Sequence, residues 1–241
     1  MKSSHATILA IGLVVCAIVL GGAYKYKYHA AETITVTGLG EQEFTSDKIV
    51  WRGSVVVENY SLESAYSTLE KDKREVVEYI TSRGIPTEKI VFLFPYSGKT
   101  YESQYSNGNY IGQRVTGYRI EQAFTIESDD VELVESVSRE ISTLIAKGIQ
   151  IESQQPDYYY TGLDGLKIEL IEQATDDARL RAESIAKEAG CRLGKLKSAR
   201  TGVFQITGAN TNEEFSAGGN FNTSSKDKKA RVTMRLEYKI R

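Results

Sequence analysis

The sequence predicts an α+β protein, an antiparallel sheet with three helices packed on it, preceded by one N-terminal transmembrane or signal helix. Three observations support this fold class. Residues 6–23 carry no charged side chain. Segments that alternate apolar and polar residues, the period of a β-strand, recur between residues 33 and 241. Three further segments carry apolar residues at the spacing of a helix face, so we expect helices on the buried face of a single-sided sheet.

The composition is that of a folded protein without a nucleic-acid partner. The 241 residues carry a formal net charge of -2, and 26% of them are charged. Lys and Arg are spread among acids, whereas nucleic-acid binding requires a concentrated basic surface. The two cysteines, Cys16 and Cys191, fall in different predicted segments, so no intrachain disulfide is expected.

Residues 1–29 are predicted to be an N-terminal membrane anchor or signal segment. As a helix, the uncharged stretch 6–23 is about 27 Å long, which is just enough to span a bilayer core. The alternating Tyr and Lys of residues 24–28 suit the headgroup zone. A retained inner-membrane anchor is favoured over a cleaved signal peptide, and a buried helix of the fold is the third interpretation. Either of the first two places the following domain in the periplasm or outside the cell.

Residues 30–241 are predicted to form one α+β domain, which opens with two strands and a helix. Alternation predicts strands over residues 33–38 and 48–58. Ser61 is suited to be an N-cap, and apolar residues at helical spacing follow it as far as Gly84. A short buried strand is expected next, ending at Tyr96.

A long polar hairpin and a second helix come next. The hairpin turns at Asn107-Gly108, a residue pair that tolerates positive φ at both central positions. Asp129 and Glu132 form a start like a capping box for the second helix, which is expected to end at Gly148.

The third helix is predicted over residues 163–189, where alanine at successive turns implies close approach to a sheet or another helix. A strand over residues 193–206 follows it. Residues 207–227 are rich in Gly, Asn, Ser and Thr and are expected to be a flexible loop. The last strand alternates strictly, with Ala230, Val232, Met234, Leu236, Tyr238 and Ile240 on one face.

The sequence offers no recognisable catalytic site. Its two histidines, His5 and His29, lie beside the predicted membrane segment and outside the domain. This removes Ser-His, Cys-His and His-zinc arrangements from the domain. Adjacent carboxylates such as Asp176 and Asp177 point in different directions on a helix. We therefore expect no catalytic residue, no metal site and no cofactor, in a protein that is not an enzyme.

Tyrosines are the candidate interaction residues. One group lies on the hairpin and another precedes the third helix, and exposed aromatic side chains can bind proteins or sugars. Cross-strand pairs that stabilise the hairpin are the structural alternative. The candidates are Tyr101, Tyr105, Tyr110, Tyr158, Tyr159 and Tyr160.

Several stretches resemble the SIMPL domain family, and their order and spacing make the resemblance specific over roughly residues 33–240. The hairpin and the polar loop 207–227 depart from the family pattern. The stretches that carry the resemblance are Ile34–Gly38, Gly84–Ile90, Thr116–Ile120, Ala178–Gly190 and Leu193–Leu196.

The resemblance implies a bacterial envelope or periplasmic protein. Relatives include proteins linked to oxidative-stress defence and proteins that assemble into large ring-like oligomers, and the family supplies no catalytic residues. We therefore expect a non-catalytic cell-envelope protein that acts by self-association and partner binding, with a homo-oligomer and an envelope protein as partners. The alternative is a ligand-binding module for a glycan or an envelope lipid that uses the tyrosine clusters.

Overall fold

The computed structural model describes residues 2–29, 32–214 and 216–241, which contain four α-helices and eleven β-strands. The helices are α1 (Lys2–His29), α2 (Leu62–Ser82), α3 (Val131–Glu140) and α4 (Leu163–Glu188). The strands are β1 (Thr33–Thr45), β2 (Lys48–Asn59), β3 (Ile90–Phe92), β4 (Tyr96–Ser106), β5 (Asn109–Ser128), β6 (Gln150–Ser153), β7 (Asp157–Tyr159), β8 (Leu193–Thr201), β9 (Gln205–Gly208), β10 (Asn220–Phe221) and β11 (Asp227–Ile240).

The strands form two sheets, not the single sheet that the sequence predicts. In the β2 sheet, β2 pairs along its length with residues 118–128 of β5; β3 and β4 flank β5, and β6 and β7 flank β2. In the β11 sheet, β11 pairs with β1 on one side and with β8 and β9 on the other. The pairs are antiparallel except β9 with β10, so the α+β class is confirmed.

The β2 sheet and the helices α2 and α3 enclose the first core. Alternate residues of β2 and β5 face the helices, so that Trp51 packs edge-to-face on Phe124 with ring centroids 5.3 Å apart. Gly53 makes room for this ring, because a Cβ there would lie 2.6 Å from the Phe124 side chain. The opposite face of the sheet is polar, and Arg119 forms ion pairs there with Glu121 and Glu152.

Helix α4 packs on the β11 sheet and forms a second, separate core. Its buried row runs through Leu170, Ala174, Ala178 and Ala182, as the alanine spacing predicts, and Ala186 continues the row, whereas Ile185 is exposed. A Cβ added at Gly38 of β1 would lie 2.1 Å from the carbonyl oxygen of Ala174. Small residues on both sides therefore bring the helix backbone directly onto the strand.

The helices begin at the predicted caps, except that the cap of α3 is shifted by one residue and the second predicted helix is divided into an α-helix and a 3-10 helix. Ser61 caps α2 by accepting a hydrogen bond from the Ser64 amide. The cap of α3 is Asp130, whose Oδ1 accepts from the Leu133 amide at 3.0 Å, and not Asp129. Residues 141–147 continue α3 as a 3-10 helix. The tighter turn changes the phase of the apolar row, so that Ile141 and Leu144 are buried and Ile145 is exposed.

Helix α1 covers the segment predicted to be a membrane anchor or signal. Its side chains are described at His5 and at residues 10–25, so residues 6–9 of the predicted span lie outside them. Across the described part of the chain, no helix is long and apolar enough to cross a membrane. The transmembrane helix of the sequence prediction is therefore not confirmed.

The polar segment 207–227 is tied to the β11 sheet. It contributes β10, and the buried Asn222 donates through Nδ2 to Glu213 and to Ser224 Oγ. Lys228, only 2% exposed, donates through Nζ to the Asn222 carbonyl at 2.6 Å. Burial lowers the pKa of Lys228 to about 8, and the neighbouring charges of Glu213 and Asp157 act in the opposite direction. The flexibility of this loop stays a prediction.

Candidate interaction surface

The hairpin of β4 and β5 projects beyond the β2 sheet as a two-stranded arm, residues 100–117. Strand β2 pairs with β5 only from Tyr118 onward, whereas β4 pairs with β5 out to Asn109. At about 3.4 Å per residue, the arm extends about 25 Å past the end of β2. The turn adopts the predicted geometry, with φ of 51° at Asn107 and 82° at Gly108. Within the described residues, both edges of this ribbon lack a neighbouring strand.

The arm has one aromatic face and one polar face. The directly opposite pairs Tyr101 with Val115 and Tyr105 with Tyr110 share the aromatic face. The Tyr105 and Tyr110 rings meet edge-to-face with centroids 5.9 Å apart. On the polar face, Arg114 pairs with Glu102 at 3.2 Å. A cross-strand tyrosine pair, the structural alternative to an interaction role, is thus present.

The aromatic face remains open to solvent despite this pairing. Tyr101, Tyr105 and Tyr110 are 55%, 66% and 57% exposed. Singly exposed apolar residues are ordinary, but several on one face of a narrow ribbon form a surface typical of interaction sites. The arrangement can therefore bind a protein surface or a strand.

An apolar groove lies on the same side of the sheet as the aromatic face. Ser97 of β4 opposes Ile120, which faces α2, and alternation along β4 places Tyr101 and Tyr105 on this same side. The groove has a volume of about 550 Å³, and beside it Phe94 is 97% exposed. Its walls are Leu62, Glu63, Tyr66, Pro95, Ser97 and Ile120.

The groove is not predicted from the sequence, although the sequence contains a signal for it. Leu93, Phe94, Pro95 and Tyr96 form an apolar run, which by itself predicts the end of one buried strand. Pro95 interrupts that run, because proline lacks the amide hydrogen that a β-ladder requires. Strand β3 accordingly ends at Phe92, and β4 begins at Tyr96. The residues between the strands are left on the surface.

The second tyrosine cluster lies at the other end of β2 and does not join the first. Strand β7 pairs with residues 48–50 of β2, about 35 Å along the strand from its end beside the arm. Tyr158 is 6% exposed and belongs to the first core, and burial raises its pKa. Tyr160 packs on Phe44 beside the second core with ring centroids 4.8 Å apart, and Tyr159 is half-buried.

Titratable groups give no indication of chemistry at the arm. Throughout the described residues, no group of three or more His, Cys, Asp or Glu side chains is placed to hold a metal ion. The carboxylates whose pKa is lowered are held in ion pairs away from the arm, whereas the buried Asp72 on α2 has its pKa raised by burial. Asp177, for example, has its pKa lowered by Arg181 and by the Leu39 amide that donates to it at 2.9 Å.

The fold and the arm define an α+β protein of two sheets, each with its own helical cover, from which an aromatic ribbon projects. Residues 34–238, most of the chain, match the family model SIMPL, which is described as a protein of unknown function (DUF541). The chain belongs to the SIMPL family. No curated protein matches it.

Proposed function

We propose that this chain is a non-catalytic cell-envelope protein that acts by self-association and partner binding, with the arm as its contact surface. The observation that supports the proposal is the exposed aromatic face of a ribbon whose two edges are unpaired among the described residues. Tyrosine is enriched in binding hot spots because it supplies a large rigid surface with a polar end.

The energetics of a two-stranded ribbon favour a partner. An isolated two-stranded hairpin is only marginally stable in water, and a third strand or a packed layer is usually needed. Free edges also present amide and carbonyl groups that pair readily with another strand. A second chain can supply both the strand and the apolar cover that the arm lacks.

A second copy of the same chain is the partner we favour. The groove beside Phe94 is apolar and lies on the same side of the sheet as the aromatic face. Because arm and groove are different surfaces, an arm that enters the groove of a neighbour forms a head-to-tail contact. Repeated head-to-tail contacts generate a ring if the rotation from one subunit to the next adds up to a full turn.

The envelope location rests on the N-terminal segment. Residues 6–23 are uncharged, and the apolar side chains from Ile11 to Leu20 are exposed. Fractionation of bacterial cells that express the full chain is expected to recover it with the envelope, and recovery with the cytosol would contradict the location. A part in envelope or oxidative stress defence stays a prediction based on the family.

Light scattering on the full chain tests the association. We expect a mass of several chains at micromolar concentration. The triple change Tyr101→Ser, Tyr105→Ser and Tyr110→Ser is expected to weaken association by at least about a hundredfold, because one hot-spot tyrosine contributes about 2 kcal/mol, or about thirtyfold, and the three losses are not fully additive. Circular dichroism verifies that the fold is retained.

A control variant on the same arm distinguishes an effect of the aromatic face from an effect of any change to the arm. The double change Glu102→Gln with Arg114→Gln removes the exposed ion pair of the polar face and leaves the tyrosines in place. Its mass is expected to equal that of the wild type. A wild-type monomer, or equal losses in both variants, would count against the proposal.

A further inference from the structure

The outer face of the β11 sheet, turned away from α4, carries two arginines directly opposite one another. Arg235 of β11 pairs in register with Arg200 of β8 and, on its other side, with Thr37 of β1. Residues opposite one another in an antiparallel pair have Cβ atoms about 4.5–5.5 Å apart and share a face. Two exposed guanidinium groups therefore leave the sheet from adjacent positions.

This pair lacks the carboxylate that its neighbours have. On the same face, Lys197 pairs with Glu237 at 2.9 Å and Lys229 pairs with Glu43 at 2.9 Å. Among the described residues, neither Arg200 nor Arg235 has an acidic side chain within 4.0 Å. Like charges directly opposite each other in a sheet are destabilising. The fold thus places two positive charges together without an internal counterion.

A small polar pocket of about 230 Å³ lies at the pair. Its walls are Thr35, Ser198, Arg200, Arg235 and Glu237. The Glu237 carboxylate is already occupied, because it accepts hydrogen bonds from Lys197 at 2.9 Å and from Ser198 Oγ at 3.1 Å. Because Lys197 neutralises the Glu237 charge, the charges of the two arginines are not balanced within the pocket. The Thr35 hydroxyl provides a further hydrogen-bond donor.

We propose that Arg200 and Arg235 bind a phosphate or sulfate group in this pocket. Each guanidinium presents a planar fork of donors that matches the oxygens of such an anion, and charge-assisted hydrogen bonds of this kind are the strong ones. The bound anion also removes the repulsion between the two cations. The same chemistry is offered by inorganic phosphate and by the phosphate headgroup of a lipid.

Thermal unfolding of the full chain tests the site with inorganic phosphate as the probe, at constant ionic strength set by sodium chloride. Tm is expected to rise with phosphate in the wild type. Arg235→Gln and Arg200→Gln are each expected to weaken this response at least about tenfold. Arg74→Gln, an exposed arginine on α2, is the matched control and is expected to respond as the wild type does.

The phosphate-free samples provide a second readout. If the two arginines stabilised the fold, each substitution would lower Tm in the absence of phosphate. If they repel each other, each substitution is expected to leave Tm equal to or above that of the wild type. A wild type that gains no stability from phosphate and does not bind phosphatidic acid overturns the proposal. A phosphate response that both variants keep overturns it too.

Vesicles distinguish the two sources of the anion. Sedimentation of the full chain is compared between phosphatidylcholine vesicles with and without phosphatidic acid. Extra binding to phosphatidic acid that Arg235→Gln loses identifies a lipid headgroup as the source. A phosphate response without such extra binding identifies a small soluble anion. Because α1 is the same in every variant, binding through that helix cancels in the comparison.

Discussion

Close contact between α4 and β1 makes Gly38→Ala a strong test of the second core. The added Cβ would lie 2.1 Å from the Ala174 carbonyl oxygen and 2.4 Å from the Ala178 amide nitrogen. Ordinary contact begins near 3.4 Å, so the helix must retreat by about 1.3 Å. Such a gap loses a large part of the dispersion energy along the buried row. Overpacking typically costs about 1–3 kcal/mol, and with rigid backbone as the obstacle we expect about 3 kcal/mol.

Urea unfolding followed by far-UV circular dichroism measures this cost. With a slope of about 3 kcal/mol per molar urea, the midpoint is expected to fall by about 1 M. Gly165→Ala in the first turn of α4 is the matched control, because a Cβ there meets nothing within 4 Å. It is expected to stabilise the helix by about 0.5 kcal/mol. A Gly38→Ala midpoint equal to that of the wild type would refute the packing argument.

Two further changes test a cap and a buried cation. Asp130→Ala is expected to lower the free energy of unfolding, measured in urea, by about 1 kcal/mol, because it removes the cap of α3. Asp129→Ala removes only an exposed ion pair to Lys48 at 3.0 Å and is expected to cost less. Equal losses in the two variants would contradict the cap assignment. Lys228 has a pKa of about 8 in the fold and 10.5 when unperturbed, so the unfolded chain holds its proton more strongly between these values. Wild-type stability should therefore rise between pH 8 and 10.5 by up to about 3 kcal/mol relative to Lys228→Met, and parallel pH curves for the two proteins would refute this.

Periodicity predicts most individual elements correctly, because each carries its own signal. The N-cap at Ser61, the turn at Asn107-Gly108 and the alternating face of β11 all depend on neighbouring residues alone. Sheet membership has no such local signal. Strand β1 is followed at once in the chain by β2, yet it pairs with β11, which lies about 190 residues further along. Two sheets therefore could not be distinguished from one by alternation.

The exposure of the tyrosines likewise depends on tertiary contacts that the local sequence does not show. Adjacent residues of a strand point to opposite faces, so a run of three tyrosines must place its members in different surroundings. Which of them is buried depends on what covers each face, and the cover of Tyr158 comes from the first core. On the arm no layer covers the aromatic face within the described residues, and the tyrosines there remain exposed.

The position of the arm explains why its own domain does not cover it. Helix α2 begins at Leu62, three residues after β2 ends at Asn59, and so starts at the base of the arm. It runs over the sheet, because its buried row packs into the first core, and neither β2 nor α2 follows β5 outward. Covering the aromatic face from within the chain would require another element on this side. The apolar groove lies on this side, and the proposed self-association would bring the arm of a second copy against it.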